Sequence, residues 1–412
     1  MTATPREAYV FPDNLAALSA ARELGLAGVP VTVIGATAGP AARSRFVTFV
    51  RAPDLYRNAA GWAEFVAARA AVASSRPVLF PTEDAGLLAS ERFFELLSPV
   101  LDFPHAAPGV IPKILDKRSL YRAARRIGIA TPEFVEVTSA EQLARLDGVP
   151  PDWIVKPPCR YWMSDDGTIR TFLSLTGGSK AFASHPRRSA ERILSAGFPA
   201  LAQERIPGPF EELVSVGLCL APNGEIVHAF TARKHCEYPE PFGDGLVVEA
   251  VPDPGIADQA VALLRALGYW GLCDIEFKRD PRDGRFKLLD ANPRVWLWQG
   301  LGAACGAPLA GSAYWQACGR PASGPTPPNG ADHPTWVSPR GSLAFLLTSY
   351  RPQRHGWTLP MRLTAGALHT ILRELKTFHD PLYLRPSGWL ALISQVRGRL
   401  RARNAGGIAE ES

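Results

Sequence analysis

The feature that most constrains this chain is a pair of short runs, GLCDIEFKR and RFKLLDANP, joined by Asp280-Pro281-Arg282-Asp283-Gly284. Extended-favouring residues on both sides of a Pro, Asp and Gly turn predict a β-hairpin. Alternation along each strand places Asp274 and Glu276 on one face of the first, and Asp290 and Asn292 on one face of the second. If both faces turn inward, three carboxylates and an amide oxygen converge. Such a cluster is costly unless a hard cation neutralises it. Oxygen-only ligands suit Mg²⁺, which is commonly held by one or two carboxylates plus substrate phosphates. The competing reading is a solvated hairpin face. Asp290 and Asn292 argue against it because they interrupt an otherwise apolar run, LLDANPRVWLW.

Lysine usage points the same way. Only eight of the 45 basic residues are Lys, at 113, 117, 156, 180, 234, 278, 287 and 376. A basic position here is Arg by default, so a Lys hints that a compact ammonium is needed. Lys156 closes the strand-like run WIVKP, Lys117 stands early in a helix after Asp116, and Thr176-Gly177-Gly178-Ser179-Lys180 is a small-residue loop whose N–H groups suit phosphate. That loop does not match the P-loop pattern, and Gly300-Leu-Gly302-Ala-Ala-Cys-Gly306 misses the dinucleotide fingerprint by one residue and reads as a helix start.

At 412 residues, 46% of them hydrophobic, two or three packed units are expected. Residues 8 to 35 read as strand, helix from about Asn14 to Leu26, and strand. A helix at about 60 to 73 and a third strand, VLFPT, complete a small parallel, doubly wound unit. A helix follows from about Pro108, then strands FVEV and WIVKP, and an amphipathic helix over 256 to 268 precedes the hairpin. The stretch 321 to 340 is rich in Pro, Gly and Ser and reads as a linker. The organisation expected is therefore residues 1–107, 108–320, linker 321–340 and a basic helical extension 341–412. From Arg351 to Ser412 ten Arg and Lys face four Asp and Glu, the whole of the +6 excess, which argues against a nucleic-acid surface. In this tail Trp389, Leu392, Ile393, Val396 and Leu400 recur at helical spacing, read as a packed terminal helix, with contact to a membrane surface as the alternative. The six cysteines form no CxxC pair, and neither a secretory leader nor a membrane span is apparent, so a cytoplasmic location is expected.

The order of these pieces resembles the ATP-grasp superfamily over roughly residues 8 to 318, particularly carboxylate-amine ligases similar to the carbamoyl-phosphate synthase large subunit and the D-aspartate ligase type. The strongest part is Glu276, thirteen intervening residues, then Asp290-Ala-Asn292-Pro-Arg294. The resemblance implies an α/β architecture, with a Rossmann-like pre-grasp domain followed by a two-subdomain grasp fold. It implies ATP with two Mg²⁺ ions, Mn²⁺ being the substitute, held by Glu276, Asp290 and Asn292, and a catalytic role for Arg294. Gln203, Glu204, Arg205 and Ile206 look like the hinge that reads adenine, with Glu211, or its neighbour Glu212, on the ribose. Lys117 and Lys156 match phosphate-binding lysines, and Gly177, Gly178, Ser179 and Lys180 match the loop that closes over them. Arg233 and Lys234 resemble a basic pair facing the transferred phosphoryl group. Asp290 stands where Glu is commoner, and Asp274 where some dipeptide ligases carry Arg.

The implied activity is phosphorylation of a carboxylate to an acyl phosphate that an amine captures, giving ADP and phosphate. Small-molecule carboxylate and amine substrates follow as partners, with a homodimer allowed. A bicarbonate-activating enzyme and a non-catalytic nucleotide-binding regulator are the alternatives. His235 reads as a satisfied structural histidine.

Overall fold

The computed structural model describes residues 4–171, 185–238, 243–320, 334–348, 350 and 359–373. The N-terminal unit is a parallel sheet of β1 (Ala8–Phe11), β2 (Val31–Gly35), β3 (Val47–Arg51) and β4 (Val78–Pro81) in the order β3-β2-β1-β4. Helices α1 (Leu15–Leu26) and α2 (Ala59–Ala71) make its crossovers. Asn14 starts α1 by accepting the Ala17 N–H at 2.8 Å. Strands β1 and β4 are wholly buried, with Phe11 against Trp62 at 4.4 Å between ring centroids. The edge strand β3 is additional to the three strands expected. None of its residues is fully buried, so its apolar pattern is weak.

Helices α3 (Asp84–Arg92), α4 (Phe94–Leu97), α5 (Ile111–Leu115) and α6 (Lys117–Arg126) lead out of this unit. Asp116 caps α6 by accepting the Arg118 N–H at 2.9 Å, which fixes Lys117 as its first residue. A three-stranded antiparallel sheet follows, β5 (Phe134–Val137), β9 (Ala200–Gln203) and β6 (Ile154–Lys156), covered by α7 (Pro186–Ser195). The hairpin of β7 (Tyr161–Met163) and β8 (Ile169–Thr171) packs Tyr161 and Ile169 into the core of the N-terminal unit.

The large sheet is antiparallel and six-stranded, in the order β14-β13-β10-β11-β12-β15. Its members are β10 (Leu213–Leu220), β11 (Ile226–Tyr238), β12 (Asp244–Ala250), β13 (Gly271–Arg279), β14 (Phe286–Asn292) and β15 (Thr335–Val337). Helix α8 (Pro254–Leu267) buries Ile256, Val261 and Leu264 against it. Helices α9 (Gly300–Ala304) and α10 (Leu309–Ala317) return to α1, where Glu23 accepts the Gly311 N–H at 2.8 Å and Gln299 Nε2 at 3.2 Å. The expected hairpin is thus present, and Gly300 does open a helix.

Thr335–Val337 lies inside the stretch expected as linker, yet it pairs with β12. Three strand-favouring residues between Pro334 and Pro339 suffice for a short edge strand. Beyond it α11 (Pro339–Thr348) and α12 (Leu359–Arg373) bury Phe345 and Leu363 with Cys236, Leu246 and Val337. The terminal helix expected around Trp389 lies outside the described residues. Among the described residues no helix is long and apolar enough to cross a membrane.

Candidate functional site

The register of β13 and β14 sets Asp274 opposite Asn292 and Glu276 opposite Asp290, with a bulge immediately after Glu276. All four line one cleft of about 1240 Å³, together with Arg294, Lys117, Lys156 and Lys234. Each carboxylate of the second pair is held by a different lysine. Lys234 Nζ donates to Glu276 Oε1 at 2.6 Å, and Lys117 Nζ donates to Asp290 Oδ1 at 2.5 Å. Burial would weaken the Lys234 ammonium, but Glu276 and Asp274 keep its pKa above the ordinary value. Burial would likewise raise the Asp290 carboxyl, and Lys117 and Lys156 hold it below the usual range instead.

Lys156 stands apart. Its ammonium makes no hydrogen bond or ion pair with any described residue, and burial, reinforced by Lys117, pushes it down to about 7. Asp274 is 2% exposed, accepts from Asn292 Nδ2 at 3.3 Å and leaves Oδ1 without a partner among the described residues. Burial and Glu276 push it up to about 7. No three His, Cys, Asp or Glu side chains gather as a metal-holding group among the described residues. The oxygen donors of the hairpin are three carboxylates and one amide, and Lys234 and Lys117 each already hold one of those carboxylates.

Each nitrogen of Arg294 is engaged. Nε donates to Asp84 Oδ1 at 2.5 Å, Nη2 to Asn292 Oδ1 at 3.0 Å and Nη1 to the Val295 carbonyl at 3.2 Å. It ties the hairpin to the first turn of α3 in the N-terminal unit. The Asp84 partner was not anticipated from the sequence. Its cue was available: an acidic pair, Glu83-Asp84, directly follows a parallel strand, at the carboxyl end where such sheets place ligands.

The two residues of the basic pair point different ways. Successive residues of a strand face opposite ways. Lys234 turns into the cleft, whereas Arg233 is exposed and does not line it. The expected hinge divides similarly. Gln203 ends β9, accepts from Tyr121 Oη at 2.9 Å and lines the cleft, as do Arg205, Ile206 and Glu211. The Glu204 carboxylate points elsewhere, accepting Arg282 Nη2 at 2.5 Å and the Glu133 N–H at 3.1 Å. Of the two residues expected at the ribose, Glu211 lines the cleft and Glu212 does not. Lys278, given no role from the sequence, braces this segment by donating to the Ile206 and Gly208 carbonyls at 3.0 and 2.9 Å. Gly177, Gly178, Ser179 and Lys180 lie outside the described residues. His235 pairs with Glu249 Oε2 at 2.6 Å, as a satisfied histidine would.

No family model matches the sequence, and no curated protein matches it. Solved structures do match. An N5-carboxyaminoimidazole ribonucleotide synthetase, solved as an ADP complex, gives a TM-score of 0.61 at 16% identity over 84% of this chain and 86% of its own. An L-amino acid ligase from Bacillus licheniformis gives 0.56 at 16% identity over 77% and 75%. A biotin carboxylase from Campylobacter jejuni gives 0.55 at 14% identity over 76% and 70%. The chain has the ATP-grasp fold.

Proposed function

We propose that this chain, built on the ATP-grasp fold, is an ADP-forming carboxylate-amine ligase. The observation that carries the reading is the partnerless Lys156 between two lysine-held carboxylates, Asp290 and Glu276, in one cleft. An ammonium drawn largely out of water without a direct ion pair is costly, and a bound phosphate chain would offset that cost. Lys117, Lys156 and Lys234 are the groups that would steady the phosphates, with Gln203, Arg205 and Ile206 around the base and Glu211 at the ribose. Glu276, Asp290 and Asn292 are the oxygen donors that would hold magnesium, two ions on the family pattern. They suit it, being hard ligands already aligned by the strand register. When bound, the metal neutralises phosphate oxygens and polarises the phosphoryl group.

The chemistry is positional. A substrate carboxylate attacks the γ-phosphorus, the bond to the bridging oxygen of ADP breaks, and an acyl phosphate forms. An amine then displaces phosphate and loses a proton. Lys234 and Lys156 spread the charge that develops on the transferring group, and Arg294 orients Asn292 rather than touching the reacting atoms. Carboxylate and amine mixtures should release ADP and phosphate in equal amounts. Release of AMP and pyrophosphate instead would overturn the acyl-phosphate route.

A further inference from the structure

We infer that Arg160, not Arg294, anchors the carboxylate of the substrate to be phosphorylated. This deepens the ligase reading and rests on it. Gripping a carboxylate with two hydrogen bonds takes a guanidinium whose fork is open, whereas each nitrogen of Arg294 already donates to the protein, leaving only two of its five N–H groups. Arg160 has all of them. It lines the same cleft, is solvent-accessible there, and makes no hydrogen bond or ion pair with any described residue. Its guanidinium stands over the ring of Tyr161, 5.3 Å from the centroid. That ring is fixed in turn: Tyr161 is buried in the core of the N-terminal unit and its hydroxyl donates to Glu83 Oε2 at 3.4 Å.

The location also suits the task. Arg160 follows Lys156 by four residues and senses the charges of Asp84, Arg294 and Asp244, none of which ion-pairs with it. The cleft it lines also takes in Lys117, Lys156 and, from the carboxyl end of β4, Thr82, Glu83 and Asp84. Of the cleft's other cations without an ion pair to a described residue, Lys156 stands with the phosphate lysines, Lys278 is held by the Ile206 and Gly208 carbonyls, Arg205 is in the hinge segment and Arg362 is on the exposed side of α12. A planar guanidinium supported by an aromatic ring and free along its fork is the geometry that grips a carboxylate with two hydrogen bonds.

Arginine labelling of the full-length chain with phenylglyoxal, read by peptide mass mapping, tests this without knowledge of the natural substrate. Arg160 should react at least tenfold faster than Arg294. Saturating Mg-ADP should leave Arg160 reactive, and at least one compound from a panel of the twenty proteinogenic L-amino acids, acetate, succinate and bicarbonate should slow its labelling at least fivefold with Mg-ADP present. Protection by the β,γ-imido analogue of Mg-ATP alone would assign Arg160 to the γ-phosphate and overturn the proposal, as would protection by no carboxylate. For the protecting compound, Arg160→Gln should raise the KM at least tenfold, with Arg160→Lys between it and the wild type and the ADP Kd within twofold. Failure of the wild type to bind Mg-ADP would instead sink the ligase reading itself.

Discussion

Lys117 and Asp290 are 173 residues apart in the chain, yet Nζ and Oδ1 meet at 2.5 Å. The contact locks the first residue of α6 to the last turn of the β13-β14 ladder, so a helix start and a strand end share one charge pair.

Asp290→Asn should keep the fold and lower kcat on the order of 10²- to 10³-fold, the cost of losing one preorganised charge at the proposed phosphoryl-transfer site. Phosphate release alongside circular dichroism reads both parts. Full turnover in the variant would remove Asp290 from the site.

Glu276→Gln should raise the Mg²⁺ concentration needed for half-maximal activity by about 10- to 100-fold, as for other ligand-shell losses. A magnesium titration at fixed ATP checks this. Lys234 then loses its closest counter-charge, so an unchanged magnesium requirement would mean that Glu276 serves only to hold that lysine.

Lys156 lies at about 7 instead of 10.5, so between these values it is mostly neutral in the free protein. Phosphate favours the ammonium. Nucleotide binding near pH 8 should therefore take up protons, seen as a dependence of the calorimetric heat on buffer ionisation enthalpy. Lys156→Met should abolish the uptake and turnover while leaving the fold intact. The same shift has a sign for stability: the unfolded chain binds the extra proton, so this lysine's contribution improves as pH rises from 7 toward 10.5.

Glu23 works in the opposite sense. Burial pushes it up to about 7 from 4.5, against the hydrogen bonds from Gly311 and Gln299. The folded state holds its proton more tightly, so its contribution to stability is full below pH 4.5 and is lost as pH rises through 7. Glu23→Gln should flatten the fall in melting temperature between pH 5 and 7.5. Parallel pH profiles for both proteins would contradict this.

Gly271 opens β13 at a φ of 106°, and a Cβ there would stand 2.4 Å from the Pro104 carbonyl oxygen. Gly271→Ala should cost at least about 1–3 kcal/mol of backbone strain, measurable as a lower urea midpoint.

Much of this site was legible because alternation is a strict rule on a strand. Asp274, Glu276, Asp290 and Asn292 share the cleft as their spacing required. The same rule, applied to Arg233 and Lys234, separates two neighbours that the family pattern had grouped together. What the sequence does not display is pairing between distant segments. Nothing local in DKRSL or PTEDA announces that Lys117 will meet Asp290, or that Asp84 will take up Arg294, since those contacts are created by the packing of α3 and α6 against the hairpin. Glu204 is a similar case: a motif position whose carboxylate is claimed by Arg282 of the turn. Strand β3 escaped notice because a half-exposed edge leaves little apolar rhythm to read.

Strand β15 covers one flank of the six-stranded sheet through its pairing with β12. A chain cut just before Pro334 would bare the β12 amides and carbonyls, along with the apolar ground beneath Phe345 and Leu363. Open strand borders of that kind recruit other strands. Such a shortened protein should be recovered chiefly as dimers or larger aggregates by light scattering, because β15, α11 and α12 would no longer cover that edge.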